Sequence, residues 1–351
     1  MTYVESTGIT LFKILLAIGV VLTTVAYLTY AERRISSFIQ DRLGPNRVGP
    51  FGLLQPLADG IKFIFKEDII PYTTNKVLYL AAPVLALVTG LIALAVIPIG
   101  YGFHTTFFGI LEKPIYVDLH IADVNVGILY ILSVSSVSVY AVVLAGWSSS
   151  SKYSLLGSLR SAAQLISYEL PLGISIVGVI AIAGSPRLKE IIEAQEQMWF
   201  IIPQLIGFLV FMVCSFAETN RLPFDMPEAE PELVGGFHTE YSSMKFAMFF
   251  MAEYTHMIVA SCLATSLFLG GWYPLPWGGW FGIDIERYWF LPPLVFLGKV
   301  AFVLFLFIWV RWTLPRFRYD QVMGLGWKVL LPIAIINLVI TSTALVLMGW
   351  A

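Results

Sequence analysis

Eight apolar runs, each about as long as a bilayer's hydrocarbon core is thick, constrain this chain more than any other feature. They lie at about 9–30, 77–98, 124–145, 162–183, 199–217, 246–270, 291–310 and 329–349. A helix needs roughly 20 apolar residues to cross, whereas a barrel strand needs roughly 10 with alternating polarity. Runs of this length predict helices. The rest of the chain agrees: 58% of its 351 residues are hydrophobic and 13% charged, against roughly 25% charged in a soluble domain. The expected fold is an all-α, polytopic membrane protein with eight transmembrane helices. No linker, internal repeat or low-complexity segment divides it, so one transmembrane domain over 1–351 is expected. The opening MTYVESTGIT has no basic segment, and no small-residue cleavage site follows the first run. That run reads as a retained span and not a signal peptide.

Eight crossings put both termini on one side, and lysine and arginine decide which. The first loop carries Arg33, Arg34, Arg42, Arg47, Lys62, Lys66 and Lys76, and the seventh Arg311, Arg316, Arg318 and Lys328. The second, fourth and sixth loops together hold Lys113, Arg187, Lys189 and Arg287. Basic loops stay on the cytoplasmic or matrix side, so the odd loops face inward and both termini face outside. A net charge of -2 argues against a nucleic-acid partner, which needs a basic face.

Cofactor signals are missing. Cys214 and Cys262 both fall in apolar runs, and no CxxC occurs. They read as small buried side chains, not as ligands of an iron–sulfur cluster. Of His104, His120, His238 and His256, only His256 lies well inside an apolar run, and it reads as a polar packing residue. There is no GxGxxG and no P-loop. The sequence predicts no flavin, haem, iron–sulfur cluster or metal on this chain, and no catalytic residue set of its own.

The first loop is more than a connector. In LLQPLADGIKFIFKED the polar residues Gln55, Asp59, Lys62 and Lys66 recur at helical spacing, opposite Leu54, Leu57, Ile61, Ile64 and Phe65. That pattern predicts an amphipathic helix, either lying in the headgroups as an interfacial helix or turning its polar stripe toward a cleft that opens to the bilayer. RLGPNRVGPFG before it is dense in glycine and proline and predicts a shaped turn.

Three charges fall where charges are costly. Glu169, Glu253 and Lys299 lie inside predicted spans, where a charge costs about 2.5–3.5 kcal/mol on insertion scales. Glu169 and Glu253 stand about seven residues into their spans, about 10 Å deep at 1.5 Å per residue. Glu218 stands at the inner end of the fifth span. Carboxylates in a low dielectric hold protons more tightly, and clustering strengthens this, so three acids on neighbouring helices are what a proton relay needs. Pro171, two residues after Glu169, removes a backbone donor and is expected to open the helix there.

The fifth loop, ETNRLPFDMPEAEPELVGG, gathers Glu218, Asp225, Glu228, Glu230 and Glu232 around a single base, Arg221. Pro223, Pro227 and Pro231 forbid a regular helix. Leu222, Phe224, Met226 and Phe237 do not suit a freely solvated loop. We expect this segment to fold back against the helices, with its carboxylates lining a wet cavity.

Taken together, these segments resemble a known family. ERRISSFIQDRLGPNRVGPFGLLQPLADGIKFIFKEDIIP is similar to the first inward loop of the H-type membrane subunits of respiratory complex I, the NADH-quinone oxidoreductase. AETNRLPFDMPEAEPELVGGFHTEYSSMKFAMFFMAEY resembles the fifth loop and sixth helix of that family. GWSSSSKYSLLGSLRSAAQLISYE resembles its third loop and PRFRYDQVM its seventh. The resemblance implies a subunit between the redox arm and the proton-pumping membrane arm, forming the entrance and wall of a quinone chamber. It implies that Arg33, Arg34, Asp59, Lys62, Phe224, Glu228, Glu230 and Glu232 stand at the chamber and its mouth. It implies a proton route through Glu169, Glu218, Asp225 and Glu253. The implied substrate is a quinone, ubiquinone or menaquinone. The implied partners are the hydrophilic quinone-site and terminal iron–sulfur subunits, small neighbouring membrane subunits and lipid. The implied location is a bacterial inner membrane or an organellar one. Pro231 departs from the small or polar residue frequent in this family, and the third span carries no acid.

Three other readings remain. One is the equivalent subunit of a membrane-bound hydrogenase or formate hydrogenlyase. The intact ETNRLPFD and EAEPE stretches and the amphipathic first loop favour the quinone version. The second is a stand-alone proton-coupled transporter, for which the expected inverted repeats are missing. The third is a purely structural anchor, which leaves the intramembrane acids unexplained.

Overall fold

The structure, a computed structural model, describes residues 3–105, 115–227, 234–276 and 288–349. Helices dominate it. In chain order they are α1 (Tyr3–Ile39), α2 (Gln55–Phe65), α3 (Lys76–Ala93), α4 (Gly127–Ser148), α5 (Lys152–Ala183) and α6 (Leu188–Glu193). There follow α7 (Leu205–Glu218), α8 (Ser243–Phe268), α9 (Leu291–Thr313), α10 (Tyr319–Leu325) and α11 (Leu331–Leu347). A π-helical turn over Gly326–Leu330 joins α10 to α11. Two three-residue strands, β1 (Phe103–Thr105) and β2 (Ile115–Val117), pair antiparallel, Phe103 opposite Val117. They add a small hairpin to the all-α expectation.

Seven helices among the described residues are long and apolar enough to cross a membrane. They match seven of the eight predicted runs. The remaining run, 199–217, holds α7, which is apolar but has only 14 residues. At 1.5 Å per residue it reaches about 21 Å, short of a hydrocarbon core of roughly 30 Å. The run begins in turns instead, with Ile202 N bonded to the Trp199 carbonyl and Gln204 N to the Phe200 carbonyl. Pro203 has no N–H to continue a helix backward. Other helices overrun their predicted ends. α1 continues to Ile39, so Glu32, Arg33 and Arg34 stand on a helix and not in a loop. α5 begins at Lys152, ten residues early, and stays helical through Pro171. The expected opening at that proline does not occur.

α5 and α8 organise the packing. α5 lies against α4, α7 and α11, and α8 against α1, α3 and α9. In the most apolar stretch of α8, 67% of residues are buried, against 6% for α1, so α8 is central and α1 peripheral. Lipid tails are as apolar as leucine, so helices associate through close packing and interhelical hydrogen bonds. Both occur here. Ser154, Ser158 and Ser161 on α5 are fully buried. A methyl on Gly157 would come within 2.8 Å of the Gly236 backbone, so only glycine permits that approach. Between α7 and α11, Gln204 Nε2 donates to Thr341 Oγ1 at 2.6 Å, and Asn337 Nδ2 donates to Gln204 Oε1 at 2.7 Å. Tyr168, Phe211, Phe268, Phe296 and Phe307 fill the main core.

Candidate functional site

The site begins where α7 stops. Past Glu218 the chain turns without helix through 219–227, as Pro223 and Pro227 require. The turn is pressed into the helices. Phe224 is 3% exposed, with its ring centroid 5.4 Å from that of Tyr168 and 5.6 Å from that of Phe317. Gln164 on α5 donates to the Ala217 and Phe224 carbonyls, each at 2.8 Å. Phe317 N reaches the Pro223 carbonyl at 3.1 Å. Over 219–227 the chain folds back against the helices, as its apolar residues predict. Asp225 is buried and paired to Arg316 Nη2 at 2.5 Å. Glu228, Glu230 and Glu232 lie outside the described residues.

Two of the intramembrane acids meet one helix. Adjacent serines on α4 serve them: Ser135 hydrogen-bonds Glu218 on α7, and Ser136 hydrogen-bonds Glu169 on α5. A serine hydroxyl donates to a carboxylate and accepts from a carboxylic acid. Each acid is therefore accommodated in either protonation state, which a group that trades protons requires. The third span has no acid of its own and supplies hydroxyls to its neighbours' acids instead.

The third acid belongs to a buried charge cluster. Glu253 on α8 lies 3.8 Å from Arg221 Nη2. Arg221, 3% exposed, also donates to Glu32 Oε2 at 3.3 Å, and its guanidinium stands 4.2 Å from the centre of the Tyr254 ring. Tyr254 donates to Glu32 at 2.7 Å, and Arg311 on α9 pairs with the other Glu32 oxygen. Two guanidiniums and two carboxylates thus balance while Glu253 is ionised. Protonating it leaves one positive charge uncompensated. Helices α1, α8 and α9 and the 219–227 turn meet here.

Further out, α2 forms as a helix and is tied to α1. Asp59 Oδ2 accepts from Arg33 Nη1 at 2.6 Å, Asp59 Oδ1 accepts from Gln55 at 2.9 Å, and Lys62 stands 3.6 Å away. Tyr30 donates to the Phe51 carbonyl at 2.7 Å, anchoring the glycine-rich turn before α2. Arg34, half-buried, packs its stem beside Gly44. Among the predicted residues the structure brings together Arg33, Asp59 and Lys62, sets Glu218 and Glu169 along α4, and joins Glu253 to the turn through Arg221.

Lys299 does not join them. Its ammonium donates to the carbonyls of Leu269, Gly271 and Tyr273 at 2.5, 3.0 and 2.5 Å and lies 4.0 Å from the Trp199 ring centre. It closes the end of α8, a structural task. Cys214 and Cys262 are free and buried, as expected. Sequence reasoning missed Glu32, Tyr254 and Arg311, and it weighed Arg221 only as the lone base of its loop. One signal was available: the E of AERR follows the first apolar run by a single residue, and a helix carried on by one turn buries it.

Comparison with known proteins gives the family of this chain. A family model described as NADH dehydrogenase matches residues 12–342. The chain belongs to the H-subunit family of NADH-quinone oxidoreductases. Similar members include the first of the H subunits of Geobacter metallireducens, 52% identical over 97% of each chain. The H subunit of Leptospira biflexa is 53% identical over 91% of this chain and 90% of its own. That of Rhodospirillum centenum is 48% identical over 94% and 92%. The matched region spans both the 219–227 turn and the acids around it, and a member of this family is one component of its enzyme complex.

Proposed function

We propose that this chain is the membrane subunit through which an NADH-quinone oxidoreductase couples quinone reduction to proton translocation. Electrons reach the quinone from flavin and iron–sulfur clusters on partner subunits, and this chain carries no redox centre of its own. Arg33, Arg34, Asp59, Lys62 and Phe224, with Glu228, Glu230 and Glu232, form the entrance and wall of the quinone chamber. Ubiquinone or menaquinone reaches it past α2, which lies as an amphipathic helix in the inner headgroup layer. The chain works as one transmembrane domain with eight crossings, α7 with its preceding turns making the fifth and both termini outside. It sits in a bacterial inner membrane or an organellar one. The hydrophilic quinone-site subunit and the terminal iron–sulfur subunit dock on its inner face, and small membrane subunits flank it.

The proton route runs from Asp225 and Glu218 to Glu169 and Glu253. Reducing a quinone to a quinol takes up two electrons and two protons, so carboxylates beside the chamber lose or regain protons as the quinone turns over. The observation that carries this reading is Glu218. It ends α7, it is hydrogen-bonded to Ser135, and the chain passes directly from it into the turn that holds Phe224 and Asp225.

Glu218→Gln in the assembled complex tests it. A positioned acid contributes roughly 10²–10⁴-fold to a proton-transfer step. Quinone-linked NADH oxidation and proton uptake should fall together by at least about tenfold, while NADH oxidation by an artificial acceptor stays at the wild-type rate. Unchanged quinone turnover with unchanged proton stoichiometry in a fully assembled variant overturns the reading.

A further inference from the structure

A small cavity lies between α4, α5, α7 and α8, lined by Ser135, Ser215, Glu218, Thr219 and His256 among apolar side chains. It offers about 20 Å³ to the centre of a water molecule, and a water needs roughly 10–15 Å³ on that measure, with two to four polar partners. Partners are at hand. Ser215 Oγ is buried without a hydrogen-bond partner, although buried polar atoms are nearly always satisfied by protein or water, and the Glu218 carboxyl and the His256 ring border the same space. A Cβ on Gly90 would stand 3.6 Å from His256 Nε2, so the ring reaches from the cavity to α3 and turns that nitrogen toward the Ala86 backbone. Leu172, Phe211 and Leu263 close the apolar walls.

We propose that His256 is a proton-carrying residue, fed from Glu218 through water held in this cavity. The inference rests on the proton-route reading of Glu218 and extends it by one residue that the sequence marked as packing. The step balances. The Glu218 carboxyl gives its proton to the water while the water gives one of its own to an imidazole nitrogen. A carboxylate and an imidazolium result, and the water is restored. The imidazolium then passes a proton to Glu253, leaving a neutral ring. Residues three apart share a helix face, so Glu253 is the next titratable group toward the α8 N-terminus. Glu218 of α7 borders the cavity with the ring, and Glu253 stands three residues away on its own helix. On the α3 side are the Ala86 backbone and Gly90, which do not titrate. Beyond Glu218, Glu169 of α5 completes the acids on this side of α4.

Two measurements on the intact complex test the proposal. A high-resolution map should show ordered water within hydrogen-bond reach, roughly 2.6–3.2 Å, of both the Glu218 carboxyl and a His256 nitrogen. His256→Gln keeps a hydrogen-bonding side chain but cannot take up and release a proton. It should cut proton translocation and quinone-linked turnover about tenfold at an unchanged rate with an artificial acceptor. His256→Asn serves in its place if the glutamine variant does not assemble. Absence of that water, or wild-type pumping in the variant, overturns the proposal. If Glu218→Gln also pumps normally, the proton-route reading fails with it. If Glu218→Gln is impaired and His256→Gln is not, only the histidine step is lost.

Discussion

Glu32 is the residue on which most of the buried charge converges. It binds Arg221 and Tyr254 through one oxygen and Arg311 through the other. Removing one partner of a buried pair leaves an uncompensated charge and costs about 3–5 kcal/mol. Glu32→Ala strands two guanidiniums and should lower the thermal midpoint of the detergent-solubilised complex or prevent its assembly. Glu32→Gln keeps the acceptor but not the charge. It should assemble in larger amounts than the alanine variant, and immunoblots of native gels check the ordering. The acids Glu169, Glu218 and Glu253 were legible in the sequence because a charge amid apolar residues is conspicuous. Glu32 was not, because it stands beside two arginines that make it look like loop. The partners of each acid were illegible too, since Ser135, Ser136 and Arg221 come from elsewhere in the chain. Lys299 was conspicuous for the same reason as the acids, and its task proved to be a backbone one.

Elements show a similar division. α2 was readable from its polar stripe alone, and the structure adds what holds it, the bonds from Arg33 of α1 to Asp59 and from Ser243 to the Phe63 carbonyl. Asp59→Ala should free α2 from α1 and slow the reduction of a long-tailed quinone severalfold, while an artificial acceptor is still reduced at the wild-type rate. Equal loss with both acceptors would show misassembly instead. The limits of α1 and α5 were not readable, because their inner turns carry polar residues that composition assigns to loops. Just before α8, His238 lies among the rings of Phe237, Phe246 and Phe250 at 5.1, 5.3 and 6.4 Å. Burial there lowers its pKa to about 4. The unfolded segment therefore takes up a proton between about pH 6.5 and 4 that the folded one refuses, and stability falls with pH across that window. The protection factors of amides 236–242, taken against the intrinsic exchange rate at each pH, should fall on acidification from pH 7 to 5. His238→Phe should remove that fall.

For the whole molecule, the sequence showed the class of fold and left the count of crossings to α7. With α7 and its turns as a crossing the termini share a side, and without it they are opposed. The two native cysteines are buried. A Cβ at Gly8 meets nothing within 4 Å and Met348 is 71% exposed, so Gly8→Cys and Met348→Cys report cleanly to an impermeant maleimide. Both should react from the outer face of sealed vesicles. Labelling from opposite faces would show that the α7 segment enters and leaves on one side. The far end of α8 bears on how the whole assembly can move. The Lys299 ammonium has exchanged its hydration shell for three carbonyls, and sliding α8 along its axis would strip those from a cation in apolar surroundings. An axial slide of α8 is therefore opposed at that end, and a tilt of the helix has its greatest amplitude at the other, where Ser242 and Ser243 are bonded to α2 and the segment that follows it.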